Sequence, residues 1–375
     1  MTEIEIIRYN SQGEGVCYIQ NKIAFVPFTM IGDTIVPTKL NEHSSYIRVT
    51  QFELKKASPN RVLPKCSYFS HCGGCQLQHL PYPSQLKLKK ETIANAFFKI
   101  AKISPEQLPI QDVIASPNQF HYRESAQFHI SNNQIGFRSL RSNQVIQIDK
   151  CLLLSKELQE APFIVKKKIE ELKLKGKATP TIISVTPNQS SKTITLSSKR
   201  NNHEQNKFNQ INEAINNLMK NFLYKLIEEE SQKGQTLLDL FCGNGNFSIS
   251  LHPLFSLVIG VDYSKESIAI ANQRIKKLSL SNYRYIKMDC QSYLKKQGAY
   301  FDWVIVDPAR SGMKEVNLIA QKVSPTNIVY ISCNPTTLAR DVANLVDYGY
   351  TIKTVQPFDM FPQTYHVETV VLLSH

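Results

Sequence analysis

Apolar and polar positions alternate in five short runs over residues 1 to about 55: IEIIRY, GVCYI, IAFVPF, DTIVPTKL and YIRVTQFEL. A period of two marks half-buried strands, and Gly13, Gly15, Pro27 and Gly32 punctuate them. Five short strands in so short a span predict a small β-barrel of the oligonucleotide-binding kind, a mere spacer barrel being the plainer reading. SPNRVLPKC, with Pro59 and Pro64, reads as a linker. SQLKLKKETIANAFFKI then sets Leu86, Ile93, Phe97 and Ile100 at helical spacing. From Val113 to about Leu196 the runs AQFHIS, QIGFR, QVIQID, TIISVTP and KTITLS are strand-like, with a helix over LSKELQEAPFIVKKKIEELKLK between them. This predicts an α+β central domain, closed by the polar break NNHEQNK.

A second clear helix, FNQINEAINNLMKNFLYKLIEEE, aligns Ile211, Ile215, Leu218, Met219 and Leu223 on one face. Apolar strands and helices alternate from there: LLDLFC, SLVIGVD, KESIAIANQRIKKL, YRYIKMD, DWVIVDP, VNLIAQKV, NIVYISC, PTTLARDVANLV, TIKTVQPFDM and HVETVVLLS. That alternation predicts a doubly wound parallel sheet. The domains expected are thus 1–55, 56–204 and 205–375.

Composition narrows the function. Of 375 residues, 42% are hydrophobic and 20% charged, enough to bury a substantial core. No run approaches the roughly 18 apolar residues of a membrane span, and MTEIEIIRYN lacks the basic and apolar run of a signal peptide. A cytoplasmic monomer with no membrane partner is expected. The net charge of +13 suits a polyanion, RNA or DNA first. Lys87, Lys89, Lys90, Lys166, Lys167, Lys168, Lys173, Lys175 and Lys177 fall in the first half, whereas Leu237 to Asp307 is nearly balanced and reads as an enzyme core.

The chemistry is concentrated in the last third. DLFCGNGNF, residues 239–247, joins an apolar strand to an expected helix, and Gly243 and Gly245 let the turn approach a bound molecule. Asp262 ends the next strand, where an acid can accept hydrogen bonds from a ribose diol, and Asp289 ends the third, near the expected adenine position. Phe247 stands where a dinucleotide fingerprint has its third glycine. S-adenosylmethionine therefore fits better than a nicotinamide. Asp307 and Cys333 end two further strands and should meet at the same crevice. Asn334 can cap the following helix and Pro335 suits its first turn, so the helix amino terminus should favour a Cys333 thiolate. Glu368 opens a strongly apolar strand, where a carboxylate without a purpose would be costly. A salt-bridged structural glutamate is the alternative.

Eight cysteines, at 17, 66, 72, 75, 151, 242, 290 and 333, do not form a disulfide framework in a reducing compartment. Cys66, Cys72 and Cys75 have ligand-like spacing, with Gly73 and Gly74 able to wrap a metal, and Cys151 could supply a fourth thiolate. Four thiolates suit zinc or an iron–sulfur cluster, and spacing leaves both open.

These motifs resemble the RNA uracil-C5 methyltransferases, which include 23S rRNA and tRNA T-loop members. FNQIN (208–212), DLFCGNGNF (239–247), DPARSG (307–312), SCNP (332–335) and HVET (366–369) carry the resemblance, which spans nearly the whole chain. It implies a class I S-adenosylmethionine-dependent methyltransferase, with a doubly wound Rossmann-like sheet, an N-terminal barrel like a TRAM domain and the α+β central domain. It further implies Cys333 as nucleophile, Glu368 as base, and Gln210, Phe241, Asn246, Asp262, Asp289 and Asp307 lining the cofactor and uracil pockets. The family often has Glu where Asp262 stands. Similarity to the rRNA-directed members implies a [4Fe-4S] cluster on Cys66, Cys72, Cys75 and Cys151.

The chemistry accounts for the thiol. C5 of uracil is a poor nucleophile until a thiolate adds to C6, and a base must afterwards remove the C5 proton. The target uridine should be flipped out of its stack and the RNA held through its phosphates. The barrel and cysteines favour 23S rRNA over the tRNA T-loop, since bacterial tRNA-specific members typically lack both, although some archaeal tRNA enzymes are of the rRNA type. Cysteine-dependent cytosine methylation usually has a Pro-Cys order, and here it is Cys-Asn-Pro. A non-catalytic iron–sulfur RNA-binding protein would not need the Cys333 and Glu368 pair.

Overall fold

The computed structural model describes residues 2–187, 194–198, 211–296 and 300–375, arranged on three sheets. The first has strands β1 (Ile4–Glu5), β2 (Arg8–Tyr9), β3 (Gly15–Ile19), β4 (Lys22–Val26), β5 (Thr34–Glu42) and β6 (Tyr46–Lys56), in the order β1-β5-β6-β4-β3-β2. The five predicted strands become six because the first run breaks. β1 pairs with β5 and β2 with β3, while Ile6 N–H donates to Asp33 O and Ile7 N–H to Val16 O. One run thus serves both edges and closes the sheet over Ile6, Cys17, Val26, Ile35, Ile47 and Val49. Buried Asp33 ties the barrel to the linker by accepting from Met30 N–H, Ser58 N–H and the Arg61 guanidinium.

Helix α1 (Tyr82–Ala96) continues through a π-helical turn, Phe97–Ala101. Its buried face is Gln85, Leu88, Lys89, Ile93 and Phe97. Of the predicted face, Ile93 and Phe97 are fully buried, but Leu86 is only half-buried and Ile100 is exposed. The difference arises because two polar residues, Gln85 and Lys89, find buried partners that a hydrophobic pattern does not reveal.

The central sheet has strands β7 (Ala126–Ser131), β8 (Gln134–Arg138), β9 (Val145–Gln147), β10 (Ile182–Pro187) and β11 (Ile194–Ser198), in the order β11-β10-β7-β8-β9. Helix α2 (Ala161–Leu174) packs Val165 and Ile169 against Phe128 and Val185. Its opposite face leaves Lys166, Lys167, Lys168 and Lys173 exposed. The polar break NNHEQNK lies outside the described residues.

The third sheet contains β12 (Thr236–Leu240), β13 (Leu257–Asp262), β14 (Tyr283–Lys287), β15 (Trp303–Val306), β16 (Asn327–Ser332), β17 (Thr351–Phe358) and β18 (Glu368–Ser374). Their order is β14-β13-β12-β15-β16-β18-β17. Helices α3 (Glu213–Glu230) and α4 (Lys265–Lys277) cover one face, where Leu237, Trp303, Ile305 and Val329 point. Helices α5 (Cys290–Lys296) and α6 (Pro335–Asp347), with the Ile93 and Phe97 end of α1, cover Leu238, Leu240, Val304 and Val306 on the other. Five strands are parallel, as the doubly wound reading requires, but β18 is antiparallel to both β16 and β17. Only residues 359–367 separate β17 from β18. A parallel return needs a crossover of a dozen or more residues, so this connection forces an antiparallel pair.

The segment from Tyr82 to Ile114 rests on this third sheet: Ile110 bridges to Val355 and Ile114 to Phe358. Lys89 and Asp359, both fully buried, form an ion pair there. Lys89 is therefore not part of the basic surface that its neighbours Lys87 and Lys90 present. Among the described residues no helix is long and apolar enough to cross a membrane. Lys89→Met strands the buried Asp359 carboxylate and should lower stability by about 3–5 kcal/mol in urea unfolding. Lys90→Met, whose partner Asp112 is exposed, should leave the midpoint in place.

Candidate active site

The carboxyl edge of the third sheet collects the chemistry. After β12, Phe241 takes a left-handed backbone with φ 62°, unusual for a bulky side chain. Its N–H points to Cys290 Sγ at 3.3 Å. Gly243 follows with φ 54°, and a Cβ there would meet nothing within 4 Å, so the turn faces open space. Its N–H donates to Asp262 Oδ2 at 3.0 Å, and Ser264 N–H donates to Oδ1 at 2.8 Å. The acid that ends β13 is thereby fixed beside the turn. Gly245 is required by packing as well as by its φ of 74°, since a Cβ would lie 2.5 Å from the Tyr285 hydroxyl.

Asn246 is locked to α3 by reciprocal amide hydrogen bonds with Asn216, at 3.1 and 2.9 Å. The helix expected after this turn is not an α-helix: Ser248–Leu254 form 3-10 turns with Pro253 among them. Proline has no N–H to donate and cannot sit inside an α-helix without breaking it. Asp289 lies two residues beyond β14, is exposed, and caps α5 by accepting from Ser292 N–H at 2.8 Å. Gln210 lies outside the described residues.

Cys333 and Glu368 come together through strand register. β16 and β18 pair antiparallel with Ser332 opposite Thr369, so the next position along the ladder sets Cys333 opposite Glu368. Side chains at such positions have Cβ atoms about 4.5–5.5 Å apart. Asp307 follows β15, its N–H bonded to Leu240 O at 3.3 Å, and its carboxyl acts electrostatically on both groups. Asn334 caps α6 by accepting from Thr336 N–H at 3.1 Å, with Pro335 in the first turn, as the sequence implies.

Burial works against the thiolate that the cap is expected to favour. Burial pushes the Cys333 thiol up to about 11, and the Glu368 and Asp307 carboxyls add to the rise. Burial and Asp307 likewise hold Glu368 well above the usual carboxylate range. Burial, with Asp239 and Asp262, raises Asp307 to about 7. Acids crowd this edge, where Asp307 disfavours charge on both Cys333 and Glu368, and Glu368 on Cys333.

Arg310, which the sequence reading missed although it lies within DPARSG, is the opposing charge. Its guanidinium faces the Cys333 thiol and lowers both Cys333 and Glu368. Its carbonyl accepts from Asn334 Nδ2 at 2.9 Å and Thr337 Oγ1 at 3.2 Å, so the start of α6 holds the loop. His366, in HVET, was also missed. Burial and nearby Arg310 lower it to about 4, so the imidazole is neutral, beside Tyr365 at 4.2 Å and Phe361 at 5.8 Å.

Cys66, Cys72, Cys75 and Cys151 line one cavity of about 500 Å³, far from this edge in sequence. All four are free thiols. Burial pushes Cys72 up to about 11 and raises Cys75 and Cys151, and the neighbouring thiols add to the rise at these three. Gly74 N–H donates to Cys72 Sγ at 3.4 Å, the Leu153 and Leu154 N–H groups favour charge on Cys151 although Leu154 N–H also donates to the Cys151 carbonyl at 3.2 Å, and the Gln78 side chain reaches Cys75. Such donors suit sulfur that carries negative charge. A Cβ on Gly73 would lie 2.9 Å from Arg138 O, so the wall closes only with glycine there. Among the described residues no three His, Cys, Asp or Glu side chains are gathered tightly enough to hold a single metal ion.

The sheet order, the glycine turn and the acid that ends β13 define the Rossmann-like fold of class I methyltransferases. The sequence profile of the tRNA (uracil-5-)-methyltransferase family matches residues 154–375. The chain belongs to that family. It is 28% identical to a 23S rRNA (uracil(1939)-C(5))-methyltransferase RlmD of Shewanella frigidimarina, covering 99% of this chain and 95% of the relative. It is 29% identical to an uncharacterized RNA methyltransferase of Bacillus anthracis, over 99% of this chain and 96% of the relative. The solved tRNA (uracil-54, C5)-methyltransferase of Pyrococcus abyssi, in complex with S-adenosyl-L-homocysteine, shares the fold at a TM-score of 0.75 and 24% identity. That match covers 99% of this chain and 100% of the Pyrococcus chain.

The raised thiol predicts how the resting site reacts. Only a small fraction of Cys333 is thiolate at neutral pH, so its alkylation by iodoacetamide should accelerate about tenfold per pH unit from pH 7 to 10. Arg310→Gln removes the cation that favours the thiolate, raises the pKa further and should slow alkylation throughout that range. Mass spectrometry of the Cys333 peptide reads both, and a plateau already at pH 7 would contradict them.

Proposed function

We propose that this enzyme methylates C5 of a uridine in 23S rRNA through a covalent bond between Cys333 and C6 of the base. The observation that carries the reading is the register that sets Cys333 opposite Glu368, with Asp307 and Arg310 around them. Cys333 Sγ adds to C6, which makes C5 enolate-like. When bound, S-adenosylmethionine supplies a methyl group on a cationic sulfur to that carbon. Glu368 then takes the proton from C5, the Sγ–C6 bond breaks, and its electron pair returns to the thiolate. Arg310 favours the thiolate at the start and at the end. Asp307 is placed to hold the uracil, and the neutral His366 forms part of the wall on the same side.

Phe241, Gly243, Gly245, Asn246, Asp262 and Asp289, with Gln210, form the proposed donor pocket. The open side of Gly243 beside Asp262 supports it, because an acid with spare lone pairs there suits a ribose diol. We assign residues 1–55 and 56–204 to RNA binding and 205–375 to catalysis, in a cytoplasmic monomer without a membrane partner. The exposed lysines of α2 favour phosphate contacts. Cys66, Cys72, Cys75 and Cys151 would hold a [4Fe-4S] cluster, which at this place supplies a cross-link between the linker and the central domain. The cavity that the four thiols share, and the N–H groups aimed at them, support a group larger than one metal ion.

A ribosomal substrate is favoured by the full-length likeness to the Shewanella relative. The family's own description and the Pyrococcus structure keep the tRNA T-loop as the second reading. Labelled S-adenosylmethionine with separate unmodified 23S rRNA and tRNA pools, followed by mapping of the labelled base, decides between them. Label in 5-methyluridine of 23S rRNA is expected; label confined to tRNA would overturn the ribosomal reading. Cys333→Ala should abolish methylation and capture of 5-fluorouridine RNA, whereas Glu368→Gln should accumulate a covalent adduct on ordinary RNA. Normal turnover by Glu368→Gln would remove it as the base. Anaerobically purified protein should contain iron and acid-labile sulfide in equal amounts, and zinc without iron would refute the cluster.

A further inference from the structure

The nine residues that join β17 to β18 lead directly into Glu368, yet the sheet they serve does not hold them. Asp359 N–H donates to Ile114 O at 2.9 Å, and the Asp359 carboxylate takes Lys89 and the Tyr82 hydroxyl, the latter at 2.7 Å. Lys89 Nζ also reaches Phe361 O at 3.0 Å, and the Tyr122 hydroxyl reaches Pro362 O at 3.0 Å. The densest anchor is Gln363, which reverses the chain with φ 68°. Its carbonyl accepts from both Gln76 and Leu77 N–H at 3.0 Å. Its own N–H donates to Gln85 Oε1 at 3.1 Å while Gln85 Nε2 donates back to its Oε1 at 3.0 Å. Gln85 Nε2 further donates to Leu77 O and Leu80 O. Both glutamines are buried. Gln76 and Leu77 directly follow Cys75.

We infer that Gln85 and Gln363 are positioning residues for the proton-removal step: they fix the strap 359–367, and with it the approach of Glu368 to C5. The inference rests on Glu368 being the base. A buried amide makes such an anchor because each of its groups demands a partner, and only one strap conformation satisfies them all. Cys333 reaches the site from β16 and is independent of the strap. Loosening the strap therefore separates the two halves of the reaction: addition to C6 continues while release from it slows.

The test uses the full-length protein on whichever RNA pool it methylates, and on a 5-fluorouridine transcript of the same RNA. Gln85→Leu deletes the anchor. Gln363→Gly removes the side-chain oxygen that Gln85 Nε2 holds, at a backbone angle that glycine accepts, and keeps the backbone bonds of residue 363, so the fold survives there even where the first variant does not. With either variant, turnover should fall roughly 10- to 100-fold, the cost of a misplaced catalytic group. The fraction of ordinary RNA trapped as a denaturant-resistant adduct should rise, and capture of the 5-fluorouridine transcript should be unchanged. Parallel loss of capture and turnover would mean a general structural role and overturn the inference, as would normal turnover. Glu368→Gln run alongside separates the two claims: if it traps no adduct, the base assignment fails; if it does and Gln363→Gly does not, the strap assignment fails.

Discussion

The site depends on one strand pairing, the insertion of β18 between β16 and β17. Parallel strands deliver only their last residues to the carboxyl edge of a sheet, which is how Asp262, Asp307 and Cys333 arrive there. An antiparallel strand delivers its first residue instead. Glu368 is that residue, and the ladder that pairs Ser332 with Thr369 leaves it opposite Cys333 without any further device. The apolar stretch Val370–Leu373 is wholly buried between its neighbours. Its side chains alternate between two covered faces, Val370 and Leu372 on the α3 side and Val371 and Leu373 on the α6 side, and the ladders to β16 and β17 fix the register on which the proposed chemistry rests.

Crowding acids at that edge has an electrostatic consequence. Cys333, Glu368 and Asp307 all hold their protons more firmly than in water, and Arg310 is the cation that opposes them. The resting site is thus close to neutral although it is rich in acids. Such a site suits a positively charged reactant, because an incoming cation lowers all three groups together. The same arrangement opposes the helix amino terminus beside Cys333, which contributes a partial charge within one turn, against two carboxyls and desolvation.

Much of this was legible in the sequence. Period-two runs marked the barrel strands, and the strand ends located Asp262, Asp307 and Cys333 in advance. Glu368 stood out as a carboxylate opening an apolar strand. The departures share a cause, which is that partners distant in sequence decided the outcome. Ile6 and Ile7 look like mid-strand residues until one is seen to serve β5's side and the other β3's. Gln85 and Lys89 look solvent-facing until Gln363 and Asp359 meet them some 270 positions later. Arg310 drew no attention because a charged residue after a strand is ordinary, and only its place beside the thiol gives it meaning.

The Lys89–Asp359 pair makes the same point energetically. Two charges removed wholly from water recover through mutual attraction little more than desolvation costs, and a well-packed apolar pair is often as stable. Net stability is therefore a poor account of why they stand under the site. What an ion pair has and an apolar pair lacks is direction. Leucine against leucine tolerates a helix that slides or rotates, whereas Lys89 must meet Asp359 and Phe361 O while Tyr82 meets the other carboxylate oxygen. Only one docking of α1 satisfies all of them. Since α1 continues from the cysteine-bearing segment and β18 begins where the strap ends, that docking ties the α1 segment to the start of β18, and so to the proposed catalytic geometry.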